Sequence, residues 1–149
     1  MRAVIQRVLR ASVRVGGIIQ GEIPHGILVL LGIRDGDTST DLQWLAEKIV
    51  NLRIFEDQQG KMNRSLADID GEMLIISQFT LYGDCRKGRR PGFSSSAPPE
   101  IAEPLYQQFI EEVKNRQVRV ATGIFQAAME VELVNDGPVT LLLDSEKQF

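Results

Sequence analysis

Ser77-Gln78-Phe79-Thr80-Leu81 is the stretch of this sequence whose residue types could do chemistry. Glutamine brings an amide donor and acceptor, threonine brings a hydroxyl, and backbone N–H groups at a strand's end can converge on a developing oxyanion. Such a set suits attack on a carbonyl carbon. Ser77 and Thr80 also fit a simpler role, capping a strand and opening a turn. What the chain lacks is a side-chain base. His25 is the only histidine and Cys85 the only cysteine. The histidine lies in Ile23-Pro24-His25-Gly26, a loop pattern, so a Ser-His-Asp or Cys-His device has no well-placed partner. An internal disulfide is impossible, and so is a zinc site of several Cys and His ligands within one chain. No metal and no cofactor are expected.

Two further clusters stand out. Arg86-Lys87-Gly88-Arg89-Arg90 packs four positive charges into five residues, in a chain whose net charge is -3. The overall charge disfavours non-specific nucleic-acid binding, but a local patch of this kind could hold a few phosphates or simply be a solvated loop. Asn135-Asp136-Gly137-Pro138 reads first as a hairpin turn. A Gly-Pro bond, however, is one of the few places where a cis peptide is tolerated, and a cis bond would point two successive carbonyl oxygens in nearly the same direction. That pair of backbone acceptors would make a chiral steric fence.

The elements that must position these residues are legible from periodicity. Met73-Leu74-Ile75-Ile76 is an uninterrupted apolar run, predicted to be a strand buried on both faces, and Ile27 to Ile33 is a second. Ser77 to Leu81 would then sit at a strand's exit, where open α/β sheets place their ligands. Residues 2 to 9 alternate as a strand, and two more strands, 11–15 and 18–23, flank the Gly16-Gly17 turn. Thr40-Asp41-Leu42-Gln43 has the form of a capping box, and Leu42, Leu45, Ile49 and Leu52 predict a helix over 40–52. Trp44 lies off that stripe, covering an edge or meeting a partner subunit. Arg53-Ile54-Phe55 is expected as a short strand and 64–71 as irregular. Residues 82–99 are rich in Gly, Pro and Ser and form a long loop, which in a compact domain is usually functional or disordered. Ser96 or a neighbour would cap a second helix carrying Ile101, Leu105, Phe109 and Val113, in which Pro104 is awkward. Two last strands, 129–134 and 139–143, would be joined by Asn135 to Pro138. The pattern predicts an α/β (α+β) chain, a single compact domain over 1–149 with a sheet-rich core and about two main helices. Its length and its 43% hydrophobic and 25% charged composition are those of an ordinary globular protein, without a membrane span or signal-peptide core, so a cytoplasmic location is expected.

Taken together, Ser77-Gln78-Phe79-Thr80-Leu81 and Asn135-Asp136-Gly137-Pro138-Val139-Thr140 closely resemble the two signature motifs of the bacterial D-aminoacyl-tRNA deacylases, also called D-tyrosyl-tRNA deacylases. The likeness extends to Ile5-Gln6-Arg7-Val8, Arg53-Ile54-Phe55, Gly60-Lys61-Met62-Asn63, Arg90-Pro91-Gly92-Phe93-Ser94 and Gly123 through Met129. Gly92 is a small departure, standing where serine is common in the family.

The resemblance implies a homodimer with active sites at the subunit interface, acting on D-aminoacyl esters at the terminal adenosine of tRNA, with no DNA or membrane partner. It implies that Gly137-Pro138 of one subunit, cis and steadied by Arg7, reaches into the other's pocket and excludes L-amino acids by collision. Glycyl-tRNA, lacking a side chain, would pass the filter. Phe79 and Ala102 would line an adenosine pocket, Ser77 would contribute to substrate binding, and Phe125 and Met129 would shape the space near the fence. The tRNA's own 2′-hydroxyl would assist water, Gln78 would orient the substrate, and the N–H groups of Phe79 and Thr80 would hold the oxyanion. Arg86, Lys87, Arg89 and Arg90 are the candidate tRNA contacts. Two alternatives stand beside this reading: Thr80 as a covalent nucleophile in an esterase, and a module that holds tRNA acceptor ends without cleaving them.

Overall fold

One strand (β1) runs from Arg2 to Val15 where two pieces, 2–9 and 11–15, were expected. Its alternating burial slips at Arg7-Val8 and Leu9-Arg10, where the register with its neighbour shifts, but the strand continues. The structure, a computed structural model, covers residues 1–149. β1 pairs antiparallel with Gly26–Gly32 (β3) over its first half and with Ile18–Ile23 (β2) over its second. Its other edge is covered along nearly its whole length by Glu130–Asp144 (β8). β3 pairs parallel with Glu72–Ser77 (β6), and β6 pairs parallel with Arg119–Thr122 (β7), giving the order β2-β1-β3-β6-β7. Twist carries the two ends of this sheet toward each other. A Cβ on Gly21 of β2 would lie 2.7 Å from the Thr122 carbonyl oxygen of β7, so only glycine lets the sheet curl almost into a barrel.

Both apolar runs are buried on both faces, as their patterning predicts. Ile27, Val29, Leu31, Met73 and Ile75 point to one core, shared with Ser39–Asn51 (α1) and Pro99–Asn115 (α2). Leu28, Leu74 and Ile76 point to a second, with Val8, Val13 and Ile23. The buried Tyr106 of α2 ties helix to sheet by donating its hydroxyl to the Ile75 carbonyl at 2.8 Å, and burial pushes its phenol pKa up. Tyr106→Phe is expected to lower stability by about 1 kcal/mol, the usual net worth of one such bond, read as a lower urea midpoint at an unchanged slope.

Several boundaries differ from the sequence expectation. α1 starts one residue earlier than predicted because Thr38, not Thr40, is the cap; its N–H and hydroxyl reach the Asp41 carboxylate at 2.9 and 2.8 Å. The short strand is Phe55–Glu56 (β4), paired with Met62–Arg64 (β5), rather than 53–55. Trp44 is half-buried and packs on the helix-side core. α2 has Pro98 at its cap, since the Ser96 hydroxyl is committed elsewhere, and buries Ala102, Tyr106, Phe109, Ile110 and Val113. Ile101, predicted on that stripe, is exposed. Pro104 does lie inside the helix, on its exposed side, where water can reach the Glu100 carbonyl left without its helical partner.

The largest correction concerns Asn135 to Pro138, which is no hairpin. β8 is one strand, and the four residues form a bulge: Asn135 faces Val8, Thr140 faces Gln6, and the residues between them face Arg7 alone. The Asn135 side chain spans the bulge, accepting from Val139 N–H at 2.8 Å and donating to the Thr140 hydroxyl at 3.0 Å. β7 was not anticipated, because Arg119-Val120-Ala121-Thr122 is too short and too polar to announce a strand.

Candidate active site

The chain leaving β6 turns at once into a short 3-10 turn, Phe79–Tyr82. The Gln78 N–H donates to the Leu31 carbonyl at 2.7 Å, extending the parallel pairing by one bond. The first bond of the turn runs from Leu81 N–H to the Gln78 carbonyl at 3.3 Å, so the N–H groups of Phe79 and Thr80, which precede it, find no acceptor within the turn. The Gln78 side-chain amide donates to the Thr80 hydroxyl. From outside, the Ser96 hydroxyl donates to the Phe79 carbonyl at 2.9 Å and pins the turn to the start of α2.

A cavity of about 560 Å³ opens beside this turn. Ser77, Gln78, Phe79, Ala102, Phe125 and Met129 all line it, so six of the residues singled out from the sequence converge on one space. Its remaining wall is mostly apolar, from the ends of β3 and β6, the approach to and start of α2, and the loop leading into β8. Phe79 is 56% exposed at the mouth and meets Phe93 edge-on, ring centroids 5.1 Å apart. Two exposed aromatic rings at the rim of an apolar cavity form a surface on which a flat base could stack. Ser96 and Phe93 thus shape the site from within the 82–99 loop; the Ser/Pro-rich composition of that loop marked a region without singling out Ser96.

Thr80 lies just outside the cavity lining, exposed, with no basic side chain bonded to its hydroxyl. Nothing there would make it a nucleophile.

Arg7, Gly137 and Pro138 lie elsewhere. Arg7 faces Ile27 near the start of β3, whereas Ser77 faces Leu31 near its end. Four residues of strand separate them, about 13 Å at the usual rise. The Arg7 guanidinium is buried, contacts the bulge twice at Asp136 and is anchored to Ile54 on a separate segment. It donates to the Asp136 carbonyl at 3.2 Å and to the Ile54 carbonyl at 2.6 Å, and pairs with the Asp136 carboxylate at 3.0 Å. The Gly137-Pro138 bond is cis, and Gly137 has φ +124°. His25 stands near the same carboxylate, 3.9 Å from it, far from the candidate cavity.

The basic cluster forms the tip of a finger. Asp84 and Gly92 exchange two backbone hydrogen bonds of 2.7 and 3.0 Å at its base. Arg86 folds back to fork the Asp84 carboxylate at 2.8 and 2.7 Å, which holds that carboxyl well below the usual range. Lys87, Arg89 and Arg90 remain exposed. No cluster of three or more His, Cys, Asp or Glu side chains lies within reach of a common metal ion, and no helix is long and apolar enough to cross a membrane.

Residues 4–144 match the family model described as D-Tyr-tRNA(Tyr) deacylase. The chain belongs to this family. A D-aminoacyl-tRNA deacylase of Desulfotalea psychrophila is 64% identical over 149 residues, spanning the whole of both chains. One of Thermosipho africanus is 63% identical over the same span. Among solved structures, one described as c-Myc DNA Unwinding Element Binding Protein is 45% identical, with a TM-score of 0.91 over 97% of this chain and 98% of that one. Of the two stretches singled out in the sequence, one stands on the wall of an apolar cavity and the other against a buried arginine.

Proposed function

We propose that this chain hydrolyses the ester bond of D-aminoacyl-tRNA, freeing tRNA and the D-amino acid. The observation that carries the reading is family membership over the whole chain, joined to an apolar cavity walled by Ser77 to Phe79 at the exit of β6. The acceptor adenosine fits against Phe79 and Ala102, and the aminoacyl group lies toward Phe125 and Met129. Water adds to the ester carbonyl. The N–H groups of Phe79 and Thr80 stabilise the oxygen as it becomes negative, and Gln78 orients the ester. The C–O bond to ribose then breaks, and the leaving ribose oxygen takes up a proton. Without a protein base at the site, the neighbouring 2′-hydroxyl of the ribose is the group that relays the proton from water.

Rejection of L-esters falls to Gly137-Pro138. One chain's bulge is about 13 Å along the strand from its own cavity, which supports a homodimer in which each subunit's bulge closes the other's site. Exclusion by collision with fixed carbonyl oxygens is indifferent to side-chain identity, so the enzyme is strict about chirality and lax about the amino acid, with glycyl-tRNA also accepted. The exposed Lys87, Arg89 and Arg90, with Arg86 more constrained, contact tRNA phosphates. Action on aminoacyl-tRNA supports a cytoplasmic location.

The deciding experiment follows D-tyrosyl-tRNA and L-tyrosyl-tRNA with and without catalytic amounts of the protein. Rapid loss of the D ester alone is expected. Protection of both esters from spontaneous hydrolysis would instead identify an acceptor-end binding module.

A further inference from the structure

On the far side of the Phe79–Tyr82 turn lies a second cavity, of about 520 Å³. Its walls include Arg2, Arg34, Tyr82, Asp84, Arg86 and Ser95. Arg86 forks Asp84, Arg2 pairs with the buried Asp144 at 3.1 Å, and Arg34 pairs with the exposed Glu146, so Arg34 is the guanidinium whose partner is most easily displaced. The turn is a shared partition, with Phe79 on the candidate active cavity and Tyr82 on this one. Arg2 donates to the Leu81 carbonyl at 3.4 Å and lies 4.7 Å over the Tyr82 ring. Arg34 bridges in backbone to Ser96, the residue that pins the Phe79 carbonyl.

The occupant of Arg34 in this state is internal. Both of its terminal nitrogens grip the Glu146 carboxylate at 2.6 Å, while its buried Nε–H finds no acceptor. A fork-on-fork guanidinium pair is the geometry by which arginine takes carboxylate or phosphate alike. The backbone carrying Glu146 is fixed, with Ser145 N–H donating to the Met1 carbonyl at 2.9 Å and Glu146 N–H to the Asp144 carboxylate at 2.7 Å, but the Glu146 side chain lies on the exposed stretch 146 to 149. An ion pair left about one-third exposed on each side, 34% and 36%, is weak and exchangeable.

We propose that this cavity is a phosphodiester site. It takes a backbone phosphate of the nucleotides preceding the one in the active cavity, on Arg34 and Arg2, and Glu146 is a built-in carboxylate that covers Arg34 until RNA displaces it. The inference rests on the deacylase reading and adds to it a specific path for the strand and a competitor for that path.

The test compares D-tyrosyl-tRNA with D-tyrosyl-adenosine, which carries no preceding phosphate, and adds binding of uncharged tRNA across a salt series. Arg34→Gln is expected to raise KM for the tRNA ester about fivefold or more with kcat little moved. The loss on tRNA should clearly exceed the loss on the adenosine ester, and the salt slope of tRNA binding should fall by about 0.7, the share of one single-strand phosphate. Glu146→Gln is expected to do the reverse, lowering KM for the tRNA ester. Equal losses on both substrates would make Arg34 a structural residue and overturn the proposal. So would a Glu146→Gln KM at or above the parent value. If the unaltered protein left D-tyrosyl-tRNA intact, the deacylase reading itself would fall, while the salt slope would still report on the phosphate site.

Discussion

Arg7→Ala should lower stability by about 2–4 kcal/mol, a loss in the range found when one partner of a buried ion pair is removed, reduced because Asp136 is partly exposed. The side chain is buried at 4% exposure, so its removal leaves a hole as well as unpaired groups. The Ile54 carbonyl and the Asp136 carbonyl lose a donor, and the Asp136 carboxylate loses its partner. Chemical denaturation reads this directly. The same change releases the bulge, so hydrolysis of L-tyrosyl-tRNA should rise relative to D even where the protein remains folded at low temperature. Arg7→Lys is not expected to rescue it, because one ammonium cannot reach carbonyls on two separate segments and a carboxylate in the geometry of a planar fork. Gly137→Ala approaches the same arrangement from the other side. At φ +124° an L side chain is strained, and its Cβ would lie 2.9 Å from both Arg7 Nη2 and Val139 Cγ2. If Arg7→Ala kept the parent's stability and the parent's D-to-L ratio, the arginine would have no part in holding Gly137-Pro138.

Most of what positions the candidate site is readable without coordinates, and each failure has an identifiable cause. The runs 27–33 and 73–76 are apolar without alternation because they are covered on both faces, and that pattern alone places Ser77 at a strand's exit. The helices were legible to within about two residues at their starts. In α1 the error came from rival caps, since Thr38-x-x-Asp41 and Thr40-x-x-Gln43 differ by two positions and offer similar chemistry, and in α2 from the Ser96 hydroxyl being engaged by Phe79. Asn-Asp-Gly was misread as a hairpin because local turn chemistry is the same for a hairpin and a bulge. Only the partner strand distinguishes them, and β1 runs straight past. Strand β7 gave no signal, since its four residues are half-covered and held by pairing to β6. Six of the residues that the resemblance singled out line one cavity. The resemblance could not disclose the bonds of Ser96 to Phe79 and of Glu146 to Arg34, which depend on what folds next to them.

Gln78→Ala should reduce kcat/KM for D-tyrosyl-tRNA by about 10²-fold, the scale of loss when a reacting group is displaced by an ångström, whereas Thr80→Ala should stay within about tenfold. The two residues share one hydrogen bond, in which the Gln78 amide donates to the Thr80 hydroxyl, yet their contributions are unequal. Gln78 lines the cavity and Thr80 does not, and on the proposed mechanism Thr80 acts only through its backbone N–H, at the first positions of the turn. That N–H survives substitution by alanine. A nucleophilic Thr80 predicts the opposite order: loss of its hydroxyl would remove the covalent route entirely, and Gln78→Ala would be the milder change. Single-turnover kinetics at saturating protein separate the chemical step from tRNA binding. The sign of the difference between the two variants decides whether the turn acts through its main chain or through its hydroxyl. Ser96→Ala offers an independent check. Its hydroxyl touches only the Phe79 carbonyl, so any loss of kcat that it causes must pass through the orientation of the peptide unit that presents the Thr80 N–H.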